Sequence, residues 1–512
     1  MTRVRARVIR ASAALLPVSA LMAVALWGAG PAAAAGCATK IASDFNGDTI
    51  SDLAVGEVGR NGGAVRVLYG TASGTGTAGN QYFDRATPVF ADILGPGDFN
   101  SEHQLGTALA SGYFNDDCYA DLAAGAPNTG RMVVFYGSVS GLTANDVVRF
   151  RQVDLGITAG VFGFAAALAA GDINGDGRDD LAVGQEQTAN GGGVAVLYGA
   201  ASGLTATGRQ WITQDTAGVP GAGEKGDLFG HSVVLADFTG DKRADLAVGL
   251  PGESSIPDRD GMPAHNGSVV VLRGTTSGLT ATGSQAWSQN TAGVPGAAEF
   301  ADAFGMSLAA GDVNRDGRVD LAIGAPGEAI GTRISAGGVT VLRGATSGLT
   351  ATGAQAFSQD TAGIPGAAEA GDRFGETVLL ADRTGDGAAD LFVGSPGEDL
   401  GTAFEAGSVT MLTSNKSTLV GTGAQAYSQN TANVPGANES GDLFGSSLRL
   451  VHGSTLVVGA RGETLGTFSR AGAFNLLKLS AAGAVVSGTG TSAATLTNGV
   501  VGEGFTLGAP LG

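Results

Sequence analysis

The chain is patterned in short apolar bursts separated by polar turns punctuated with glycine. Runs such as Leu181-Ala-Val-Gly184, Leu246-Ala-Val-Gly249, Leu321-Ala-Ile-Gly324 and Leu391-Phe-Val-Gly394 are too short for helices and end at a breaker, so they read as buried strands. Each is followed by an alternating segment, as in Val339-Thr-Val-Leu342, and then by a segment carrying an aromatic residue at Trp287, Phe357 or Tyr427. Each is preceded by a segment that opens on Phe-Gly or a similar pair. Heptads and long amphipathic helical stretches do not occur.

This set of four strands repeats. Starts fall at Leu105-Gly106, Phe162-Gly163, Phe229-Gly230, Phe304-Gly305, Phe374-Gly375 and Phe444-Gly445, 57–75 residues apart. One earlier unit, its first strand cut short near Cys37, makes seven. Four-stranded units at this period, without helices, predict an all-β, seven-bladed β-propeller; the rungs of a parallel β-helix are much shorter. The phenylalanine would pack between blades and the glycine would let backbones approach near the axis. Residues 481–512 read as one further strand and a tail, in which Gly504-Phe505-Thr-Leu-Gly-Ala echoes a Phe-Gly strand that would help close the ring.

Between the first and second strands lies an acidic nine-residue loop, Asp172-Ile-Asn-Gly-Asp-Gly-Arg-Asp-Asp180 in its fullest form. Oxygen side chains stand at positions 1, 3, 5 and 9 of five copies: Asp44, Asn46, Asp48, Asp52; Asp172, Asn174, Asp176, Asp180; Asp237, Thr239, Asp241, Asp245; Asp312, Asn314, Asp316, Asp320; and Asp382, Thr384, Asp386, Asp390. Carboxylates this crowded repel one another unless a cation sits between them, and an all-oxygen donor set suits Ca²⁺. Position 7 (Ile50, Arg178, Arg243, Arg318, Ala388) is chemically indifferent, as expected if only its carbonyl coordinates. An EF-hand begins alike but needs an acidic residue at position 12 and a following helix. Here position 12 is Val55, Val183, Val248, Ile323 or Val393, inside a strand. About five structural Ca²⁺ sites are therefore expected.

Composition agrees with many turns: 87 of 512 residues are glycine and only 15% are charged, against about 7% and 25% in ordinary domains. Residues 1–35, with Arg3, Arg5, Arg7 and Arg10 before an apolar stretch and Ala33-Ala34-Ala35 at its end, read as a secretory signal peptide. The mature protein, 36–512, is then expected to be extracellular. No later apolar run is long enough to span a bilayer. Removing the signal leaves 25 basic against 47 acidic side chains, a net charge of −22; five Ca²⁺ would bring it to about −12. Nucleic acid is thereby excluded as a partner. The two cysteines, Cys37 and Cys118, suit a disulfide in an exported protein. Their places, one before a loop and one inside another, also fit opposite ends of a strand. Lipid anchoring at Cys37 is disfavoured because Ala34-Ala35-Gly36 lacks the leucine such sites prefer.

Phe-Gly at each start, Gly324-Ala325-Pro326 after the second strand, and the Asp-x-Asn-x-Asp-x-x-x-Asp loop between them resemble FG-GAP repeats. These build the N-terminal propeller of integrin α subunits and occur in bacterial exported proteins. The resemblance implies a calcium-bearing propeller with a role in adhesion or ligand binding. Two units depart from the pattern. The second has Tyr113 in place of the first aspartate, though Asn115, Asp117 and Asp121 remain, and the seventh has His452-Gly-Ser-Thr in place of the loop.

In a propeller, connections 2–3 and 4–1 emerge opposite the acidic loops. The former carry Glu253, Glu328, Glu398 and Glu463; the latter carry Glu224 with Asp227, Glu299 with Asp302, Glu369 with Asp372, and Glu439 with Asp442. Loops on a rigid scaffold are where binding concentrates. The first four glutamates are the candidate ligand rim for an extracellular protein or glycan, with the bland alternative of a solubilising surface or acids bonded to their own loops. The protein is expected to be a monomer. Catalytic signatures are thin: four histidines (His103, His231, His265, His452), no Gly-x-Ser-x-Gly and no His-Glu-x-x-His. His231 reads as incidental. No catalytic residue is assigned, and an exported hydrolase acting on glycan or ester at the axial mouth stays as the alternative. Asn266, Asn415 and Asn438 open glycosylation sequons.

Overall fold

A computed structural model describes residues 37, 40–58, 62–72, 74–75, 79–84, 87, 104–145, 147–158, 163–256, 264–464 and 470–492. The signal-peptide region, His103, Phe162 and the 504–509 echo lie outside the described residues. Almost everything described is strand or turn. Among the described residues seven antiparallel blade sheets follow in chain order, with a small two-stranded hairpin, Gly70–Thr71 against Gly74–Thr75, beside the first. Blade five shows the plan: Ser307–Gly311 pairs with Asp320–Ala325, that with Gly338–Ala345, and that with Gly348–Phe357. Blades two, three, four, six and seven repeat it with inner strands Leu109–Gly112, Phe164–Gly171, Ser232–Ala236, Thr377–Ala381 and Phe444–Val451. Blade one has three strands among the described residues, Leu53–Glu57, Ala64–Leu68 and Gln81–Phe83. The innermost place is the one they leave, as the truncated first unit led us to expect. Blade seven ends with Val485–Ser492 as its outer strand. The described part of residues 481–512 thus supplies that blade's fourth strand.

The core lies between the blades. Seven apolar clusters among the described residues sit one at each junction. The last joins Leu53, Val55 and Leu68 of blade one to Val451, Val457 and Phe474 of blade seven, and so closes the ring. Phe229, Phe304, Phe374 and Phe444 are fully buried wedges, each burying enough apolar area to dominate its junction. The glycine after each wedge seats its carbonyl against the second strand of the preceding blade. A Cβ on Gly324 would lie 2.0 Å from Gly375 O, so only glycine fits there.

The same test relocates one start. A Cβ on Gly125 would lie 2.0 Å from Ala165 O. Phe164 is fully buried and stands eight residues before Asp172, as Phe304 does before Asp312. The wedge of blade three is thus Phe164-Ala165, not Phe162-Gly163. Ala165 holds the left-handed conformation (φ 62°) that glycine holds elsewhere, which hid the pair from pattern reading.

Candidate functional site

The acidic loops all lead into the second strands, and in blades three to six they join inner strand to second. Each folds around its own backbone N–H groups. In blade three, Asp172 Oδ1 accepts from Gly175 N at 2.7 Å and Asp176 N at 3.1 Å, and Oδ2 accepts from Gly177 N at 2.9 Å. Asn174 Oδ1 accepts from Asp176 N, and Asp176 Oδ1 from Arg178 N. The position-1 aspartates Asp44, Asp237, Asp312 and Asp382 do the same. Position 9 has another task. Asp180 Oδ2 accepts from Ile173 N at 3.0 Å and Oδ1 from Gly199 N at 2.9 Å, tying the loop to the end of the third strand. Burial pushes Asp52 and Asp180 up to about 7 and Asp245 to about 6, because a desolvated carboxylate favours its neutral form.

Side-chain cations also enter these loops. Arg178, Arg243 and Arg318 fold back onto the position-5 carboxylates of Asp176 (2.8 Å), Asp241 (2.6 Å) and Asp316 (3.8 Å). Position 7 is therefore not indifferent in three loops of five; the guanidinium offsets part of the local charge. Arg343 reaches Asp320 at 3.1 Å and Arg383 reaches Asp390 at 3.3 Å, both pairs being buried, and Lys416 reaches Asp386 at 3.4 Å. In blade one, Asp44, Asp48 and Asp52 have no ion pair among the described residues. As to fit, the donor atoms are all oxygen, and Asp245 Oδ2 is buried without a hydrogen-bond partner. Yet among the described residues no three His, Cys, Asp or Glu side chains converge as an assembled metal centre.

The degenerate loop of blade two takes the same shape without a position-1 carboxylate. Asp121 accepts from Phe114 N and Gly137 N, Asn115 Oδ1 from Asp117 N, and Asp117 Oδ1 from Tyr119 N. The Tyr113 hydroxyl instead bonds both N and O of Ile41. That segment lies along the loops: Lys40 Nζ donates to Gly177 O, and Cys37 is joined by a disulfide to Cys118, Cα atoms 5.4 Å apart. The two cysteines are thus not at opposite ends of a strand. In blade seven, His452 Nε2 lies 3.1 Å from Thr75 Oγ1 of blade one.

On the opposite face the four candidate rim glutamates are half-buried rather than free. Each accepts a hydrogen bond from a buried glutamine at the end of the preceding blade: Gln214 to Glu253, Gln289 to Glu328, Gln359 to Glu398 and Gln429 to Glu463. Burial pushes Glu328 and Glu398 up to about 7 and raises Glu253 and Glu463. Every one of these glutamines has a buried Oε1 with no partner. Asp227, Asp302, Asp372 and Asp442 are buried too, each accepting from the N–H three residues earlier. Glu224, Glu299, Glu369 and Glu439, by contrast, are exposed. So are Ile334 (71%) and Phe404 (66%) on the 2–3 connections.

A model of the FG-GAP repeat matches residues 164–197, 229–272 and 304–342. These are the first three strands and acidic loops of blades three, four and five, and the match begins at the Phe164 wedge. Blades three, four and five are FG-GAP repeats. Integrin alpha-8 of Mus musculus is 28% identical to the propeller over 245 residues, 46% of this chain and 21% of that protein. Phosphatidylinositol-glycan-specific phospholipase D of Homo sapiens is 27% identical over 380 residues, 69% of this chain and 42% of that protein. The propeller thus spans about a fifth of the integrin and under half of the phospholipase. A solved structure, the Dos1 propeller, is 11% identical and covers 91% of this chain and 96% of its own, with a TM-score of 0.41.

Two sets of residues escaped the sequence reading. The four glutamines recur at a fixed place, in Thr213-Gln-Asp-Thr, Ser288-Gln-Asn-Thr, Ser358-Gln-Asp-Thr and Ser428-Gln-Asn-Thr, so their repetition was a usable signal. Arg383 and Lys416 occur once each and carried no such signal, while Arg343 has a single counterpart, Arg273 of blade four. His231, read as incidental, pairs with Glu186 at 2.5 Å beside the axis.

Proposed function

We propose that this FG-GAP propeller is an extracellular binding module, stapled by Ca²⁺ on one face and binding its partner on the other. What carries the second half is the combination of exposed Glu224, Glu299, Glu369 and Glu439 with exposed Ile334 and Phe404 on connections anchored to rigid sheets. An acidic rim with apolar tips suits a cationic or cation-bridged protein or glycan. Glu253, Glu328, Glu398 and Glu463 then support that face by clasping neighbouring blades.

Ca²⁺ would be held by the side chains of positions 1, 3, 5 and 9 and the carbonyl of position 7 in blades one, three, four, five and six. It would supply positive charge where the carboxylates meet, and binding to the folded state alone stabilises that state. Asp44, Asp48 and Asp52, without a basic partner among the described residues, stand to gain most. Secretion by the leader at residues 1–35 belongs to the same reading. Native mass spectrometry across a Ca²⁺ titration tests the first half: about five bound ions are expected, and no uptake would remove it. Capture of extracellular proteins and glycans, compared between wild type and a variant with Glu224, Glu299, Glu369 and Glu439 changed to Gln, tests the second. Equal capture would refute the rim.

A hydrolase would have to use the axial mouth, where the His231–Glu186 pair stands. The neighbouring Ser232 hydroxyl donates to Gly305 O and is committed to holding blade five, which favours the binding reading.

A further inference from the structure

The wheel has an axial cavity of 620 Å³ lined by the inner strands of blades three to seven, within the ~300–1,000 Å³ usual for small-molecule sites. Its wall is small and apolar: Ala166–Ala170, Val233–Ala236, Leu308–Ala310 and Val378–Ala381. It follows about six residues of strand, roughly 17 Å.

One residue breaks that wall. Five places after the wedge, blades three to six carry Ala169, Val234, Ala309 and Leu379; blade seven carries Arg449. Arg449 lines the cavity on the side facing blade one, whose innermost place the described strands leave. Its Nη2 donates to Ser43 Oγ at 3.1 Å, and Ser43 Oγ lies 2.8 Å from Ser111 Oγ. Its Nε is buried without a hydrogen-bond partner, and among the described residues no carboxylate pairs with it. The other charged groups at the cavity are already matched. His231 pairs with Glu186, and Glu376 pairs with Arg461 and Arg373. A guanidinium whose Nε is buried, with no counter-charge among the described residues, is held unfavourably. A bound anion would remove that cost, and the fork of donors suits a carboxylate or sulfonate.

We propose that the axial cavity binds a monoanionic amphiphile, its acidic head on Arg449 and its apolar body along the alanine-rich inner strands. This is independent of the rim and of the acidic loops. The anion accepts from Arg449 Nε and Nη groups, with the Ser43 hydroxyl beside them. No covalent step is involved.

The probes are 1-anilinonaphthalene-8-sulfonate, an apolar body with one sulfonate, and its uncharged analogue N-phenyl-1-naphthylamine, each titrated by fluorescence into the Ca²⁺-loaded full chain. The sulfonate should bind saturably. Arg449→Leu, which places in blade seven what Leu379 is in blade six, should weaken it by about 10- to 100-fold while leaving the uncharged probe within about twofold. Arg449→Lys should keep most of the sulfonate affinity. Equal loss of both probes, no loss of either, or no saturable binding to wild type would overturn the proposal. If Arg449→Leu does not fold by circular dichroism, Ala169→Leu decides. It leaves the arginine and adds three carbons to the cavity wall, so it should weaken both probes; unchanged binding would place them elsewhere and overturn the site.

Discussion

The clasp between Gln359 and Glu398 makes a quantitative prediction. Gln359 is 3% exposed and donates its amide to the glutamate, while its own Oε1 is buried and unpaired. A neutral, hydrogen-bearing partner at position 398 could donate to that oxygen and complete the pair, whereas an ionised carboxylate cannot. Burial accordingly raises Glu398 from 4.5 to about 7, the bond from Gln359 opposing it and the charges of Asp372, Glu369 and Asp399 adding to it. A folded-state value above the unfolded one means that the contribution to stability is complete below pH 4.5. It is lost as pH rises through 7. The ceiling is about 3 kcal/mol, at ~1.4 kcal/mol per pKa unit, and solvent screening of a half-buried group brings it to about 2 kcal/mol. Glu398→Gln mimics the protonated form at every pH. It should therefore be nearly neutral at pH 4 and stabilising by about 2 kcal/mol at pH 8. For the roughly 410 described residues the unfolding entropy is ~0.9 kcal/mol/K, so the Tm should rise by roughly 2 °C. Differential scanning calorimetry of both proteins at saturating Ca²⁺ cancels the loop carboxylates from the difference. A variant that melts lower than wild type at pH 8, or by the same increment at both pH values, would refute the clasp as the origin.

Three further outcomes follow from the packing and the loops. Chelator should lower the Tm and added Ca²⁺ should restore it, with Asp44→Asn binding one ion fewer by native mass spectrometry; identical melting with and without metal would contradict the staple. Phe304→Ala removes a fully buried wedge and should cost about 3–5 kcal/mol in denaturant unfolding, whereas the same change at exposed Phe404 should cost under about 0.5 kcal/mol. Arg343→Ala leaves the Asp320 carboxylate buried without its ion pair and should cost about 3–5 kcal/mol without Ca²⁺, less with it; equal loss in both conditions would separate the arginine from the metal.

The repeat was legible because a propeller is periodic. Phe304, Phe374 and Phe444 meet the same neighbours in successive junctions, so one pattern of apolar and glycine positions is written again and again. Reading failed where a blade meets the rule by other means. Ala165 supports a left-handed turn without glycine, so the Phe164 wedge was placed two residues early. Likewise, the rim glutamates looked free because their partners lie a blade away: Gln359 and Glu398 are 39 residues apart.

The sequence by itself determined the number of blades, the order of strands and the loop that joins the first two, because these follow from local alternation and its period. Only the tertiary structure decided which charges are matched. Arg343 and Asp320, Gln359 and Glu398, or Arg449 and Ser43 depend on what the closed ring brings side by side, and a side chain's electrostatic partner is set by distance through space rather than along the chain.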